Sequence, residues 1–463
     1  MSFTSISFLI FLAIVVVINY SLPQRLRWMF LLAASYYFYI NWQPVYAILL
    51  AATTAVTYLA ARMMVRPGLS HSAKKTICWL GALLPLSALM IFKYYAFITQ
   101  NVALLLESLH IKIQLPEMSL LLPVGISFYT FTAIGYLIDI YRSKYRPETN
   151  FGIFSLFIAF FAQITSGPIP RGDQLIPQLR HPDNLCYDNI MRGLRTILWG
   201  LFMKLCVADP LALYVNAVYG NLDAHYGSSI LLAAVVYCLQ IYCDFAGYSL
   251  IAIGAARMLG LHLMDNFRRP YLAKNLKEFW SRWHISLSLW LRDYVYIPLG
   301  GNRVSGLRHK FNILVTFLVC GLWHGASWNY VLWGGINGAG VIGQKAGSRL
   351  HGALYPFLQI ALTFIFIATV RVFSRLSTID HVFKGFRKII FDFGAPFFNF
   401  VLLTGLSAMV LVVIKDLKDE YFPTIKIMNS DNFWISNIST GLLLALIVLL
   451  GSLNSNSFIY FQF

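Results

Sequence analysis

Two of the ten histidines stand apart from the rest. His71, His110, His181, His225, His262, His309, His351 and His381 sit in polar, loop-like or helix-terminal surroundings. His324 lies instead in VCGLWHGASWNYVLWGGINGAG, within an apolar stretch that has no charged residue from Phe311 to Gln344. His284 lies between Trp283 and Ile285 in the segment YLAKNLKEFWSRWHISLSLWLRDYVYI. Burial favours the neutral imidazole, the form that can accept a proton and so act as a general base. Read as a continuous helix, the His324 stretch puts Ser327 and Trp328 on the histidine's own face. Gly321 and Gly325 beside it would admit a second helix or a substrate. The alternative is a histidine hydrogen-bonded across helices to hold a bundle together, and the residues weigh evenly between the two.

Other ionisable groups are embedded in apolar surroundings: Asp139, Lys204, Asp244 and Arg371. Such groups are costly inside a membrane, and for each of them ion pairing or an interfacial location is favoured over chemistry. Asp244 lies in YCDFAGYS, where a helix is expected to break. The chain shows no phosphate-binding glycine loop, no HExxH zinc spacing and no GxSxG elbow, and no metal site is expected. A buried histidine acting on an already activated substrate fits best. Acyl transfer from a thioester to a hydroxyl needs a base and donors for the developing oxyanion, without a covalent enzyme intermediate.

The elements that must hold these residues are membrane helices. Of 463 residues, 58% are hydrophobic and only 12% charged, and the mean hydropathy is +0.65. A soluble protein carries roughly 25% charged residues, so most of this surface faces lipid. Apolar blocks near 6–20, 28–41, 45–61, 77–92, 120–140, 151–164, 197–218, 230–243, 313–330, 354–372, 396–414 and 435–450 predict ten to twelve buried or spanning helices, since a span takes about 20 apolar residues. Open β-structure would leave backbone groups unsatisfied in lipid. The first block lacks a basic leader and a cleavage site, and reads as an uncleaved helix. The formal charge of +17 sits in short loops between apolar blocks, a positive-inside bias that needs no nucleic acid. The six cysteines form no CxxC pair and read as buried, inert thiols.

The chain reads as one membrane domain, with plain helices over 1–115, a core over 116–345 dense in Gly, Pro, aromatic and polar residues, and plain helices over 346–463. The core carries the segment 271–297, too charged to span lipid and too apolar for a loop. As one amphipathic, interfacial or re-entrant helix it would pair Glu278 with Arg282, turn Asp293 to the same side, and align Trp280, His284 and Ser288 on another stripe. An ordinary interfacial anchor is the plainer alternative. Gly300-Gly301-Asn302-Arg303 then makes a turn.

In five ordered blocks the sequence resembles the membrane-bound O-acyltransferase superfamily, in particular its branch of alginate O-acetyltransferase membrane subunits. They are PVGISFYTFTAIGYLIDIYR (123–142), FFAQITSGPIPR (160–171), DFAGYSLIAIGAARMLG (244–260), NFRRPYLAKNLKEFWSRWHISLSLWLRDYVYIPLGGNR (266–303) and GLWHGASWNYVLWG (321–334). Ser249-Leu250-Ile251 departs from the family, which often has an acidic residue after GYS. The resemblance implies an all-α polytopic fold of roughly ten to twelve helices around a central funnel or tunnel. It implies His324 as the catalytic histidine and His284 as the second characteristic histidine near the same cavity. Trp323, Ser327, Trp328, Asn329, Asp244, Trp280 and Arg282 are then expected to line the substrate path. It further implies a cytoplasmic acyl thioester donor such as acetyl-CoA, no bound cofactor, a polysaccharide acceptor, and a separate SGNH-hydrolase-like partner outside the bacterial cytoplasmic membrane. Transfer of D-alanyl or another acyl group to teichoic acid or peptidoglycan would use the same histidine. A transporter without chemistry fits the helices and basic loops as well, although no internal repeat of the kind transporters often show is evident.

Overall fold

In the computed structural model, which describes residues 1–42, 44–111, 116, 118, 120–344, 355–376 and 378–452, every regular element among the described residues is a helix. His351 and the start of the block at 354 lie outside the described residues. Among the described residues, seven helices are long and apolar enough to cross a membrane: Tyr46–Met64, His71–Ser108, Tyr187–Gly220, Gly227–Met258, Tyr355–Arg375, Phe400–Tyr421 and Phe433–Leu450. Three shorter apolar helices, Ile6–Ser21, Ile126–Tyr141 and Phe151–Ile164, bring the set to the lower end of the expected ten to twelve. Peripheral helices turn large apolar side chains outward, among them Leu442, Val448 and Leu449 of Phe433–Leu450. This is the surface that lipid covers in a multi-pass membrane protein.

The 32-residue helix Gly227–Met258 is the axis of the bundle, buried along most of its length. At 1.5 Å per residue it runs about 48 Å. It meets Tyr187–Phe202 with almost no side chain between them. A Cβ on Gly200 would lie 2.6 Å from the Gly247 carbonyl, and one on Gly254 would lie 2.6 Å from the Gly193 carbonyl. Small residues at such crossings let backbones touch, which is how helices associate where lipid is as apolar as their side chains.

The expected break at Asp244 is absent; the helix passes through it unbroken. The reason is electrostatic. Lys204 Nζ donates to Asp244 Oδ1 at 2.5 Å and lies 2.8 Å from Asp209 Oδ1. With its charge met by a side chain of the neighbouring helix, Asp244 does not need the backbone to open. The block 313–330 is likewise corrected: it is the end of Gly306–His324, a turn, and the start of Trp328–Gly343. Among the cysteines, Cys206, Cys238, Cys243 and Cys320 are buried as expected, whereas Cys186 is exposed.

Candidate active site

The segment 271–297 is not one helix. Leu276–Arg282 starts on Asn275, whose Oδ1 accepts from the Glu278 N–H at 2.8 Å, and Glu278 reaches back to the Lys274 N–H at 2.8 Å. The helix stops at Arg282, Trp283 is extended, His284 takes the left-handed conformation at φ +43°, and Ile285–Leu291 begins. A left-handed non-glycine residue costs roughly 1–2 kcal/mol, so its surroundings must hold it there. The Trp283 indole is buried 5.0 Å from the Phe267 ring and 5.6 Å from Phe279. The Ile285 N–H donates to the Asn266 carbonyl at 2.9 Å, and the Arg268 N–H to the Arg282 carbonyl at 2.9 Å. Trp280, His284 and Ser288 therefore do not form a helical stripe, because the axis changes at His284.

This strained turn fixes the histidine's chemistry. Asn266 Oδ1 accepts from the Ser286 N–H at 3.2 Å and from Ser286 Oγ at 3.0 Å, and His284 Nδ1 lies 3.1 Å from the same oxygen. An acceptor there requires Nδ1 to carry the proton. The neutral ring then presents the Nε2 lone pair, which is buried and has no hydrogen-bond partner among the described residues.

His324 is the last residue of Gly306–His324, not the middle of a helix. Gly325 is extended and Ser327 occupies the N-cap of Trp328–Gly343. The two helices fold back tightly: a Cβ on Gly321 would lie 2.2 Å from the Tyr330 carbonyl oxygen. The partner that Gly321 admits is a helix. Because the chain turns, Ser327 and Trp328 do not share His324's face. Trp328 is 54% exposed and its Nε1 donates to Asn101 Oδ1 at 2.8 Å. Asn329 is buried, with its Nδ2 donating to the Leu376 carbonyl at 2.6 Å.

The two histidines meet at one indole. The Trp323 ring centroid lies 4.9 Å from the His324 ring and 5.6 Å from the His284 ring, edge-on to both. Trp333 stands 5.1 Å from His324 on another side, and Trp280 lies 5.8 Å from Trp333. Trp323 thus touches both histidines, whereas Trp280 is linked to His324 only through Trp333. Asp244 is engaged with Lys204, but its neighbour Phe245 packs 4.7 Å from the His284 ring. Arg282 serves an ion-pair network, 2.7 Å from Glu278 and 2.8 Å from Glu420. Asp293, expected beside that pair, instead meets Arg171 at 2.8 Å.

Several residues of the site escape sequence reasoning. Lys93 and Tyr94 bond the backbone carbonyls at the end of the His324 helix. Asn266 orients His284, and Trp333 packs on His324. The only available signal was the presence of Asn266 and Trp333 within blocks that carry the family resemblance. The arrangement offers two buried imidazoles on a shared aromatic wall, one with its tautomer set by a fixed acceptor.

Comparison with known proteins supplies the family. The profile of MBOAT, the membrane-bound O-acyltransferase family, matches residues 73–359. A probable alginate O-acetylase AlgI of Azotobacter vinelandii is 33% identical, covering 91% of this chain and 86% of its own. Its counterpart in Pseudomonas aeruginosa is 34% identical over 89% of this chain and 80% of its own. A peptidoglycan O-acetyltransferase of Helicobacter pylori is 32% identical over 77% of this chain and 72% of its own. The chain belongs to the membrane-bound O-acyltransferase family, and is a multi-pass membrane enzyme that transfers acyl groups to hydroxyls.

Proposed function

We propose that this enzyme moves an acetyl group from a cytoplasmic thioester, acetyl-CoA, to a hydroxyl of an extracytoplasmic polysaccharide in the bacterial cytoplasmic membrane. The hydroxyl belongs to the polymer itself or to an SGNH-hydrolase-like partner that relays the group. His324 is the general base. As the hydroxyl oxygen attacks the thioester carbon, a C–O bond forms and the hydroxyl proton passes to the imidazole. Collapse of the tetrahedral intermediate breaks the C–S bond, and the imidazolium returns the proton to the departing thiolate. His284, with its Nε2 lone pair directed away from Asn266, accepts a hydrogen bond from a neighbouring donor of the acceptor molecule, which leaves the single proton of the attacking hydroxyl to His324.

The observation that carries this reading is the shared contact of both imidazoles with Trp323 in a buried site. The polymer is inferred from relatives that bear the names of alginate and peptidoglycan O-acetylation. Mass spectrometry of envelope and secreted polymers, from cells with and without the gene, tests it. Loss of O-acetyl esters from a polysaccharide is expected. Loss of ester-linked D-alanine would assign the enzyme to teichoic acid, and an unchanged set of esters would overturn the proposal.

A further inference from the structure

Arg371 lies in Tyr355–Arg375 and is only 4% exposed. Its guanidinium makes no hydrogen bond and no ion pair with any described residue, and Nη2 is buried without a partner. What it touches is aromatic: Cζ lies 4.4 Å from the Trp283 ring centroid and 5.7 Å from that of Trp333. Indole faces attract a cation, but they leave N–H donors of the guanidinium unbonded, and an arginine keeps its charge. A buried cation without a counter-charge is costly. Two other enclosed cations are met by carboxylates, and Arg27 by the Leu22 carbonyl and the Tyr20 ring. Lys204 faces Asp209 and Asp244, and Arg282 faces Glu278 and Glu420. Arg371 is therefore poised for negative charge that arrives from outside the protein.

Its position says which charge. Trp333, one of its two indoles, also packs on the His324 ring. Trp280, 5.8 Å from Trp333, has its Nε1–H buried with no partner among the described residues as well. Unused donors from two separate elements thus flank the indole that touches the proposed base. Both are donors, which suits an oxygen that gains negative charge during the reaction.

We propose that Arg371, assisted by the Trp280 N–H, binds the thioester carbonyl oxygen and stabilises it as it becomes an oxyanion. The inference rests on His324 acting as base at this site. When the hydroxyl oxygen bonds to the thioester carbon, the carbonyl π pair moves onto this oxygen and the proton moves to His324. When the pair returns, the C–S bond breaks and the thiolate leaves. Arg371 holds the oxygen through both events and gives up no proton.

The test uses membranes of cells that make the acceptor polymer, supplied with radiolabelled acetyl-CoA, with the amount of each variant in the membrane measured alongside. Removing one oxyanion donor costs about 100- to 1,000-fold in kcat. Arg371→Ala is expected to lose that much with little change in KM for acetyl-CoA. Millimolar guanidinium should restore part of the loss, and Arg371→Lys should fall between the two. His324→Ala should not respond to guanidinium. The inference is overturned if Arg371→Ala keeps its kcat or mainly raises KM. It is also overturned if guanidinium restores nothing to a variant present at normal level. Full transfer by His324→Ala would instead sink the proposed role of the base, whatever Arg371 does.

Discussion

The ammonium of Lys93 donates to the backbone carbonyl of Trp323 across 2.6 Å, although 230 positions separate the two residues. The same nitrogen lies 3.4 Å from the carbonyl of His324, and Tyr94 donates from its hydroxyl to the carbonyl of Leu322 at 2.7 Å. The last carbonyls of a helix have no partner within it and form the negative end of its dipole. A cation and a phenol from His71–Ser108 satisfy them here, and so pin the end of the helix that carries His324.

Replacing Lys93 should therefore act through His324. A hydrogen bond to a charged group contributes about 1.5–3 kcal/mol, and a misplacement of about 1 Å can cost 100-fold in rate. Lys93→Met is expected to lower kcat about 10- to 100-fold while the protein still inserts, and Lys93→Arg to retain more. Steady-state transfer in membranes checks this; an unchanged kcat in Lys93→Met would show that the contact does not position the site.

The turn at His284 predicts a split between shape and chemistry. Asparagine tolerates the left-handed region, whereas a β-branched residue does not. His284→Asn should be more stable than His284→Val by roughly 1–2 kcal/mol, seen as a higher melting temperature in detergent. Both should lose most transfer activity if the imidazole is required. An active His284→Asn enzyme would reduce this histidine to a backbone role.

The buried group of Lys204, Asp209 and Asp244 predicts unequal mutants. Lys204→Met leaves two carboxylates together in the protein interior, and stranding a buried charge typically costs about 3–5 kcal/mol. Asp244→Asn leaves Lys204 still facing Asp209. Lys204→Met should therefore be poorly accumulated or melt far below Asp244→Asn. Equal melting temperatures would contradict the pairing.

These residues also show what the sequence could and could not disclose. The membrane class was legible because lipid-facing surface leaves so few charges, and His324 was conspicuous in its uncharged apolar run, while its role and that of His284 came from the family resemblance and not from the residues alone. The turn after His324 was signalled by Gly325 and by Ser327, a good N-cap residue, yet the apolar run on both sides concealed it. The break at His284 had no glycine or proline to announce it. It exists because Asn266, outside the segment, bonds the His284 ring and accepts from the Ile285 N–H, while Phe267 and Phe279 pack on the adjoining Trp283. Lys93 acts across 230 positions, so no local pattern connects it with His324, and Asn266 stands 18 positions before His284 without a helical or strand spacing that would pair them. Asp244 misled in the other direction: a carboxylate inside an apolar helix suggests a break until its partner Lys204 is found on another helix.

Everything in the proposed chemistry depends on the His324 imidazole. The most direct measurement is transfer of labelled acetyl from acetyl-CoA to the polymer by membranes containing His324→Ala at the wild-type level. General base catalysis typically supplies about 100- to 10,000-fold, so transfer should fall by that factor while the variant inserts and melts normally. Transfer at the wild-type rate by a properly inserted His324→Ala protein would contradict the account.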